Sequence, residues 1–321
     1  MIYIQYLILA GLVVFLSIFL SKYVDALDKK TNLSGAFIGG VLLAAVTSLP
    51  EFITSLTAIF VLDQPNLVQG NVFGSNIFNL TILGGCILLF PKKFKNSYIA
   101  KSHILTSIFT IVIFLICLLG MKYNYSLNLG FLNVSYASII IIILYVINLS
   151  KSNDDSQNNN SVSDNDDSIN LTVKQIIFRF IICSILLLLF SVLLTKVTDK
   201  LNSQLGLGAT VGGAIFLGIA TSLPELTSSF NLVRLGNFNA SFGNVIGSNI
   251  FNFTILAIGD IFYSKGNMFS PDKQSNNLIT WGIISTIIVI STLYTRKSEK
   301  TSMFLGLLII VSYIASISFS M

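Results

Sequence analysis

The sequence predicts an all-α, polytopic membrane protein with about ten transmembrane helices in two inverted five-helix repeats. Three observations predict this fold class: a strong bias towards apolar residues, long apolar segments along the whole chain, and a duplicated pair of motifs. Of the 321 residues, 53% are hydrophobic and only 10% are charged, and the mean hydropathy is +0.81. Because a soluble domain carries roughly 25% charged residues, the composition fits a chain surrounded by lipid.

Ten apolar segments are each about as long as the 20 residues that a helix needs to cross a bilayer. They are residues 3–21, 34–60, 69–90, 103–120, 130–149, 174–195, 207–231, 241–262, 278–295 and 303–320. The net charge of +5 does not indicate nucleic acid as a partner, because the basic residues cluster between these segments.

The distribution of positive charge predicts the orientation. With the N-terminus outside, 14 of the 19 lysines and arginines lie in or next to inward loops, and 5 lie in outward ones. Cytoplasmic loops of membrane proteins carry such an excess. We therefore expect a multi-pass protein of the cell membrane with both termini outside, in contact with lipid and without an obligate protein partner.

A polar segment divides the chain into two halves. Residues 1–150 are predicted to form the first five-helix repeat, residues 151–173 a flexible cytoplasmic linker, and residues 174–321 the second repeat. The linker is rich in Asn, Ser and Asp and cannot bury enough apolar surface to fold alone. Its acidic run at 164–167 suggests Ca2+ binding, but the glycine and the final glutamate of an EF-hand loop are missing, which favours a solvated linker.

Two sequence blocks occur twice in the same order. Residues 33–51 read LSGAFIGGVLLAAVTSLPE and residues 207–225 read LGATVGGAIFLGIATSLPE; residues 70–79 read GNVFGSNIFN and residues 243–252 read GNVIGSNIFN. The blocks fall on predicted helices 34–60 and 69–90, and again on 207–231 and 241–262. Since the two copies lie an odd number of helices apart, they cross the membrane in opposite directions. Secondary transporters have such inverted repeats, with the substrate site near the midplane where the repeats meet.

Two of the three glutamates, Glu51 and Glu225, occupy the same mid-span position in the two copies. An ionised carboxylate at such a depth costs several kcal/mol, on the order of 2.5–3.5 on insertion scales, and requires a partner. Every lysine and arginine falls in a predicted loop or near a helix end, and the single histidine, His103, is also at a boundary. The partner is therefore expected to be a mobile cation or a proton. The alternative is a pair of structural carboxyls that stay protonated.

Oxygen atoms of several kinds are expected around these carboxylates. Thr47 lies four residues before Glu51, and Thr221 four residues before Glu225, so each pair would share a helix face. Pro50 and Pro224 remove a backbone hydrogen bond and would free the carbonyls four residues earlier, of Val46 and Ala220. The candidate metal ligands are Glu51, Glu225, Thr47, Ser48, Thr221, Ser222, Ser75, Asn79, Ser248 and Asn252.

This set contains oxygen ligands without sulfur or imidazole, which favours hard ions such as Ca2+ and Na+. No cofactor is predicted. For each Ser, Thr or Asn taken alone, hydrogen bonding between helices is the favoured interpretation, and for glycines such as Gly70, Gly74, Gly243 and Gly247 it is close packing. Asn71 and Asn244 are expected to cap or bind, Thr54, Ser55 and Ser228 to pack, and Asp260 to face water.

The paired TSLPE and GSNIFN motifs resemble those of the sodium/calcium exchanger family, within the cation/Ca2+ antiporter superfamily. The resemblance covers both repeats, and the family's paired glutamates correspond to Glu51 and Glu225. It implies that the matching Ser, Thr and Asn positions also bind the ions. Many members carry an aspartate at one of the two last positions, where this chain has Asn79 and Asn252. The compact chain is similar to prokaryotic members.

The resulting functional hypothesis is exchange of Ca2+ for Na+ across a membrane by alternating access. Exchange of Ca2+ for H+, or of another monovalent and divalent pair, stays open, and a cation channel is a more distant alternative. An enzyme is not expected. Intramembrane serine proteases need a buried Ser with His, and aspartyl ones need two buried Asp; the sequence predicts neither pair.

Overall fold

The computed structural model describes residues 1–31, 47–123, 125–128, 133–152 and 171–321. These ranges form twelve helices and one short β-hairpin: α1 Ile2–Thr31, α2 Leu49–Phe60, α3 Pro65–Leu89, α4 Pro91–Asn96, α5 Ser102–Tyr123, β1 Ser126–Asn128, β2 Asn133–Ser135, α6 Tyr136–Ser152, α7 Val173–Leu205, α8 Ala209–Thr221, α9 Leu223–Arg234, α10 Phe238–Phe262, α11 Lys273–Thr295 and α12 Glu299–Ser320. Residues 34–46 of the second predicted helix, 130–132 of the fifth and most of the predicted linker lie outside the described residues.

Seven helices in the described ranges are long and apolar enough to cross a membrane: α1, α3, α5, α7, α10, α11 and α12. The bent pair α8 and α9 adds an eighth span if it is counted as one. The helices α2 (12 residues) and α6 (17 residues) are shorter. The all-helical membrane architecture is therefore confirmed, but the predicted count of ten spans is not.

The helix α7 is longer than predicted at its C-terminal end. It begins after Thr172, which forms a capping box with Gln175, an arrangement that satisfies backbone N–H groups at a helix start. Its apolar stretch ends near residue 195, but the helix continues to Leu205. It stops at Gly206, whose positive φ of 65° suits glycine, and the Leu207 N–H then donates to the Asn202 carbonyl over 3.0 Å.

The helices α3 and α10 form the centre of the molecule. In each of these helices, 72% of the most apolar 18-residue stretch is buried. The corresponding share is 22% in α1 and 17% in α7. The two central helices pack on each other, and α1 packs on α7. Because α3 and α10 carry the two copies of the GSNIFN block, the fold brings the most conspicuous sequence repeat into its interior.

Close approach of α3 and α8 depends on glycine. A β-carbon added at Gly70 would overlap the backbone of Thr210, and one added at Gly74 would overlap Ala214. Small residues allow helix backbones to come this close in membrane proteins. The packing interpretation is thus confirmed for these two glycines. By the repeat, the corresponding contacts of Gly243 and Gly247 would fall on residues 36–40, which lie outside the described residues, so packing stays a prediction for these two glycines.

The start of the fifth predicted helix is corrected by the structure. Residues 133–135 form strand β2, which pairs with β1 in antiparallel register, Leu127 opposite Val134. The helix α6 begins only at Tyr136. Asp260 near the end of α10 anchors this region, because its carboxylate accepts hydrogen bonds from the Ser135 N–H (2.8 Å) and the Ser138 hydroxyl (2.7 Å). Asp260 was predicted to face water, but this prediction is wrong, because only 3% of the residue is exposed.

Candidate functional site

Glu51 and Glu225 are both completely buried, in the first turns of α2 and α9. A serine outside helical geometry breaks the chain just before each of these helices: Ser48 has φ −92° and ψ 11°, and Ser222 has φ −90° and ψ 4°. The second repeat bends by 46° at this break. Since a helix N-terminus carries partial positive charge, the two breaks place both carboxylates where the backbone favours negative charge.

The prolines help to begin the new helices. Pro50 and Pro224 each occupy one of the first two helical positions, where the missing N–H would have no intrahelical partner. The helix predicted over 207–231 is therefore two helices, with the break at Ser222. Ligation by the Ala220 carbonyl stays a prediction, and Val46 lies outside the described residues.

The S-L-P-E motifs have the spacing of a capping box, in which the serine would bond to the start of its own helix. Within the described chain, neither serine makes that side-chain bond. Instead, the Ser222 hydroxyl donates to Glu51 Oε1 over 3.2 Å, and the Ser48 hydroxyl donates to Glu225 Oε1 over 3.4 Å. The two repeats therefore exchange their serines, and each carboxylate is held by the other repeat.

Like the serines, the threonines lie beside the glutamate of the opposite repeat. Thr221 lies close to Glu51, and Thr47 lies close to Glu225. Thr221 also donates to the carbonyl of Leu217 over 2.8 Å, in a π-helical segment of α8 over Gly213–Leu217. The sequence interpretation placed each threonine beside the glutamate of its own repeat. The breaks at the serines change this relation, so that the contacts run between repeats.

The serines of the second block differ between the repeats. Ser248 on α10 donates to Glu225 Oε1 over 3.2 Å. Its equivalent on α3, Ser75, instead donates to the carbonyl of Gly218 on α8 over 3.3 Å. The structure therefore brings Ser248 to a carboxylate, and it brings Ser75 to the backbone of the helix that carries Thr221.

The asparagines that end the second block form a symmetrical pair of contacts. Asn79 Nδ2 donates to Asn249 Oδ1, and Asn252 Nδ2 donates to Asn76 Oδ1, each over 3.0 Å. All four side chains are completely buried. Asn76 and Asn249 were not among the predicted site residues. The signal that could have indicated them is their identical position in both copies of the GSNIFN block.

The carboxylates have no positive side chain beside them in the part of the chain that the structure describes. The two ion pairs found there lie elsewhere and are partly exposed: Lys95 with Glu299 at 3.2 Å, and Lys265 with Asp63 at 3.6 Å. The described residues also contain no group of three or more His, Cys, Asp and Glu side chains that could hold a metal ion. The described side chains at this position therefore offer two carboxylates and neutral oxygen atoms, without a positive charge beside them.

Among the buried oxygen atoms that have no hydrogen-bond partner in the described residues, four belong to the predicted ligands and form two equivalent pairs. They are Glu51 Oε2, Glu225 Oε2, Asn79 Oδ1 and Asn252 Oδ1. Leaving such a group unpaired costs about 1–3 kcal/mol, and more for a charged one. A set of unpartnered carboxylate and amide oxygens suits a hard cation such as Ca2+ or Na+.

Asn71 and Asn244 bond the central helices to the helices that carry the glutamates. Asn71 Nδ2 on α3 donates to Ser55 Oγ over 3.0 Å and to Thr54 Oγ1 over 3.1 Å on α2. The equivalent bonds of Asn244 go from α10 to Ser228 Oγ (2.8 Å) and Ser229 Oγ (3.1 Å) on α9. These contacts join the helix that carries each glutamate to the central helix of the same repeat.

Comparison with known proteins gives consistent similarities over nearly the whole chain. The sodium/calcium exchanger MaX1 of Methanosarcina acetivorans is 26% identical over 352 aligned positions, which cover 98% of both chains. Among solved structures, the H+/Ca2+ exchanger CAX superposes with a TM-score of 0.70 at 16% identity, covering 99% of this chain and 85% of that one. The sodium-calcium exchanger NCX_Mj superposes with a TM-score of 0.63 at 23% identity, covering 99% of both chains. These structural likenesses show a shared fold.

The family comparison covers both halves of the chain. The sequence model of the family described as sodium/calcium exchanger protein matches residues 2–151 and 176–321. These ranges include both glutamates and both copies of the two repeated blocks. The chain therefore belongs to the sodium/calcium exchanger protein family.

Proposed function

We propose that this protein is a secondary antiporter that exchanges Ca2+ for Na+ across a membrane by alternating access. The observation that carries the proposal is the pair Glu51 and Glu225, fully buried and bridged by serines of the opposite repeat. No cation of the described chain lies beside them. A transported cation or proton would supply the missing positive charge.

The proposed ligands are oxygen atoms of both repeats. Besides the two glutamates, they are Thr47, Ser48, Ser75, Asn79, Thr221, Ser222, Ser248 and Asn252. Support comes from the cluster of hydroxyl and amide contacts around the carboxylates and from the unpartnered oxygens of Asn79 and Asn252. The ions are substrates of the protein, and the proposal includes no cofactor.

The number of charges limits the stoichiometry. With Asn at both 79 and 252, the site holds at most two negative charges, which one Ca2+, two Na+ or two protons would balance. A third monovalent cation would leave positive charge uncompensated in a buried site, which is costly. We therefore propose an electrically neutral exchange. The empty, doubly charged site would be the species least able to cross the barrier, and this penalty would couple the two fluxes.

Exchange of Ca2+ for H+ is the second candidate. The name of the relative MaX1 supports Na+ as the counter-ion. The likeness of fold to the H+/Ca2+ exchanger CAX keeps protons in consideration, and two protons would neutralise the two carboxylates equally well. A channel would need neither counter-ion.

The proposed architecture is ten spans in two inverted five-helix repeats, with both termini outside the cell membrane and lipid as the surrounding partner. The contacts between Asn79 and Asn249 and between Asn252 and Asn76 support it, because the two contacts are equivalent: each joins the last asparagine of one GSNIFN block to the first asparagine of the other. Such an exchange is expected when two copies of one motif meet face to face. We propose a transporter rather than an enzyme, without an obligate protein partner.

Flux measurements with imposed gradients test the function. The full-length protein is reconstituted in proteoliposomes, and Ca2+ uptake is followed under an outward Na+ gradient, an outward H+ gradient, or neither. The proposal expects uptake that requires the Na+ gradient. Uptake driven only by the H+ gradient would favour the second candidate, and rapid uptake without any counter-ion would contradict antiport.

A further inference from the structure

We propose that Asn76 and Asn249 are positioning residues, which determine that Asn252 and Asn79 present their oxygen atoms to the transported ion. The inference deepens the proposed function and rests on it. An asparagine amide offers one oxygen acceptor and one NH2 donor on opposite sides. Which of the two faces a cation depends on what holds the other.

In both repeats, a second asparagine accepts a hydrogen bond from the NH2 group of the proposed ligand. Asn249 Oδ1 accepts from Asn79 Nδ2, and Asn76 Oδ1 accepts from Asn252 Nδ2, both over 3.0 Å. With each NH2 group engaged, the amide oxygens of Asn79 and Asn252 are buried and have no partner in the described chain. Turning either amide over would break its bond and would present N–H groups to a cation. Asn76 and Asn249 therefore select the ligand atom without binding the ion.

The two positioning residues are themselves held differently. Asn249 Nδ2 donates to the backbone carbonyl of Asn76 over 3.0 Å. By contrast, Asn76 Nδ2 has no partner among the described residues. Turning the Asn76 amide over would therefore break only the bond that it accepts from Asn252, whereas turning the Asn249 amide over would break two bonds. This difference breaks the symmetry between the repeats.

The asymmetry determines where an extra carboxylate is tolerated. In Asn252→Asp, the new carboxylate would meet Asn76, which can turn and donate its NH2 group. In Asn79→Asp, the new carboxylate would face Asn249 Oδ1, an acceptor that is fixed by its bond to the Asn76 carbonyl. Only a protonated Asp at position 79 can donate to that oxygen. The two substitutions add the same charge at equivalent positions, so each is the matched control of the other.

The test compares Asn79→Asp and Asn252→Asp with the wild type in proteoliposomes, with the apparent Ca2+ affinity measured across a range of pH. Asn252→Asp is expected to bind Ca2+ at least as well as the wild type at every pH. Asn79→Asp is expected to bind about tenfold more weakly or worse, as for loss of a hydrogen bond to a charged group. Relative to the wild type, this defect should grow as pH rises and the carboxyl ionises. Equal effects, or a larger defect in Asn252→Asp, would overturn the inference.

A second pair keeps the test decisive if Asn79→Asp does not fold. Asn76→Asp keeps the acceptor for Asn252 and loses no described bond, so it should lose less transport than Asn249→Asp, which adds the same charge. Asn249→Asp replaces the NH2 group that donates to the Asn76 carbonyl by an oxygen, so transport should fall about tenfold or more. Equal transport in these two variants would also overturn the inference. If the wild type moves no Ca2+ under any gradient, the proposed function is overturned as well. If the wild type transports Ca2+ but Asn76→Asp and Asn249→Asp transport it equally, only the positioning role is overturned.

Discussion

Ser222 donates a hydrogen bond of 3.2 Å to Glu51, a residue of the opposite repeat, rather than capping the helix that it precedes. The reciprocal bond of Ser48 to Glu225 is 3.4 Å long. A helix start normally uses its own serine to satisfy its free N–H groups. Here both serines serve the other repeat, so neither half of the chain contains a complete carboxylate site.

Removal of the Ser222 hydroxyl is predicted to weaken Ca2+ binding, because this hydroxyl donates to Glu51 Oε1 from the opposite repeat. Ser222→Ala should raise the Ca2+ concentration for half-maximal uptake about tenfold, the size expected for a hydrogen bond to a charged group. Proteoliposome uptake measures it. Ser203→Ala, an exposed serine on α7, is the control and should behave as the wild type. An unchanged Ser222→Ala would contradict the exchanged-serine arrangement.

Asn71 is predicted to matter for stability, because it joins α3 to α2. Asn71→Ala leaves the Ser55 hydroxyl without this donor and removes a buried amide, which should cost about 1–3 kcal/mol of unfolding free energy. Thermal unfolding in detergent measures the loss. Exposed Asn96, in α4, supplies the control Asn96→Ala, for which no shift is expected. Equal melting temperatures for Asn71→Ala and Asn96→Ala would show that the bonds of Asn71 between α3 and α2 do not stabilise the fold.

Asp260→Ala is predicted to loosen the connection between the hairpin and α10. The substitution removes the acceptor for the Ser135 N–H and the Ser138 hydroxyl, and an unpaired buried donor costs about 1–3 kcal/mol. Asp260→Asn keeps one acceptor oxygen, so its melting temperature should lie between those of Asp260→Ala and the wild type. If Asp260→Ala melts like the wild type, the carboxylate does not hold this region.

Asp272 is predicted to give a pH-dependent contribution to stability. Burial would raise the pKa of this carboxyl, but hydrogen bonds from Thr210, from Ser275 and from nearby backbone N–H groups outweigh burial and lower the pKa below its ordinary value of 3.8. A carboxyl with a lowered pKa stabilises the fold above its ordinary pKa, and this contribution is lost as pH falls through the folded value.

The measurement is the difference in melting temperature between the wild type and Asp272→Ala. It should be largest at neutral pH and should shrink as pH falls below 3.8. A difference that stays constant, or that grows on acidification, would have the wrong sign for this mechanism.

Periodic and duplicated features of the sequence predicted the membrane-spanning class and the importance of Glu51 and Glu225. A carboxylate in an apolar span is conspicuous because of its cost, and a repeat can be found by comparing the chain with itself. The Ser, Thr and Asn positions were indicated by the same comparison, and their ligand role stays a prediction.

The contacts between the repeats could not be predicted. Helix periodicity relates Thr47 to Glu51 within one segment, but the turn at Ser48 breaks that relation, and contact with Glu225 depends on how distant helices pack. Asp260 was misjudged for the same reason. Its place near the end of a helix suggested water, whereas the hairpin residue Ser135, far away in sequence, covers it.

The most direct test of the central claim is Ca2+ transport by Glu51→Gln and Glu225→Gln in proteoliposomes. The account predicts that each variant, although folded, loses Ca2+ exchange, because a neutral amide removes one of the two charges that the ion balances. Glu299→Gln is the control, since that glutamate pairs with Lys95 at a partly exposed site, and it should retain exchange. Undiminished Ca2+ exchange in both Glu51→Gln and Glu225→Gln would contradict the account.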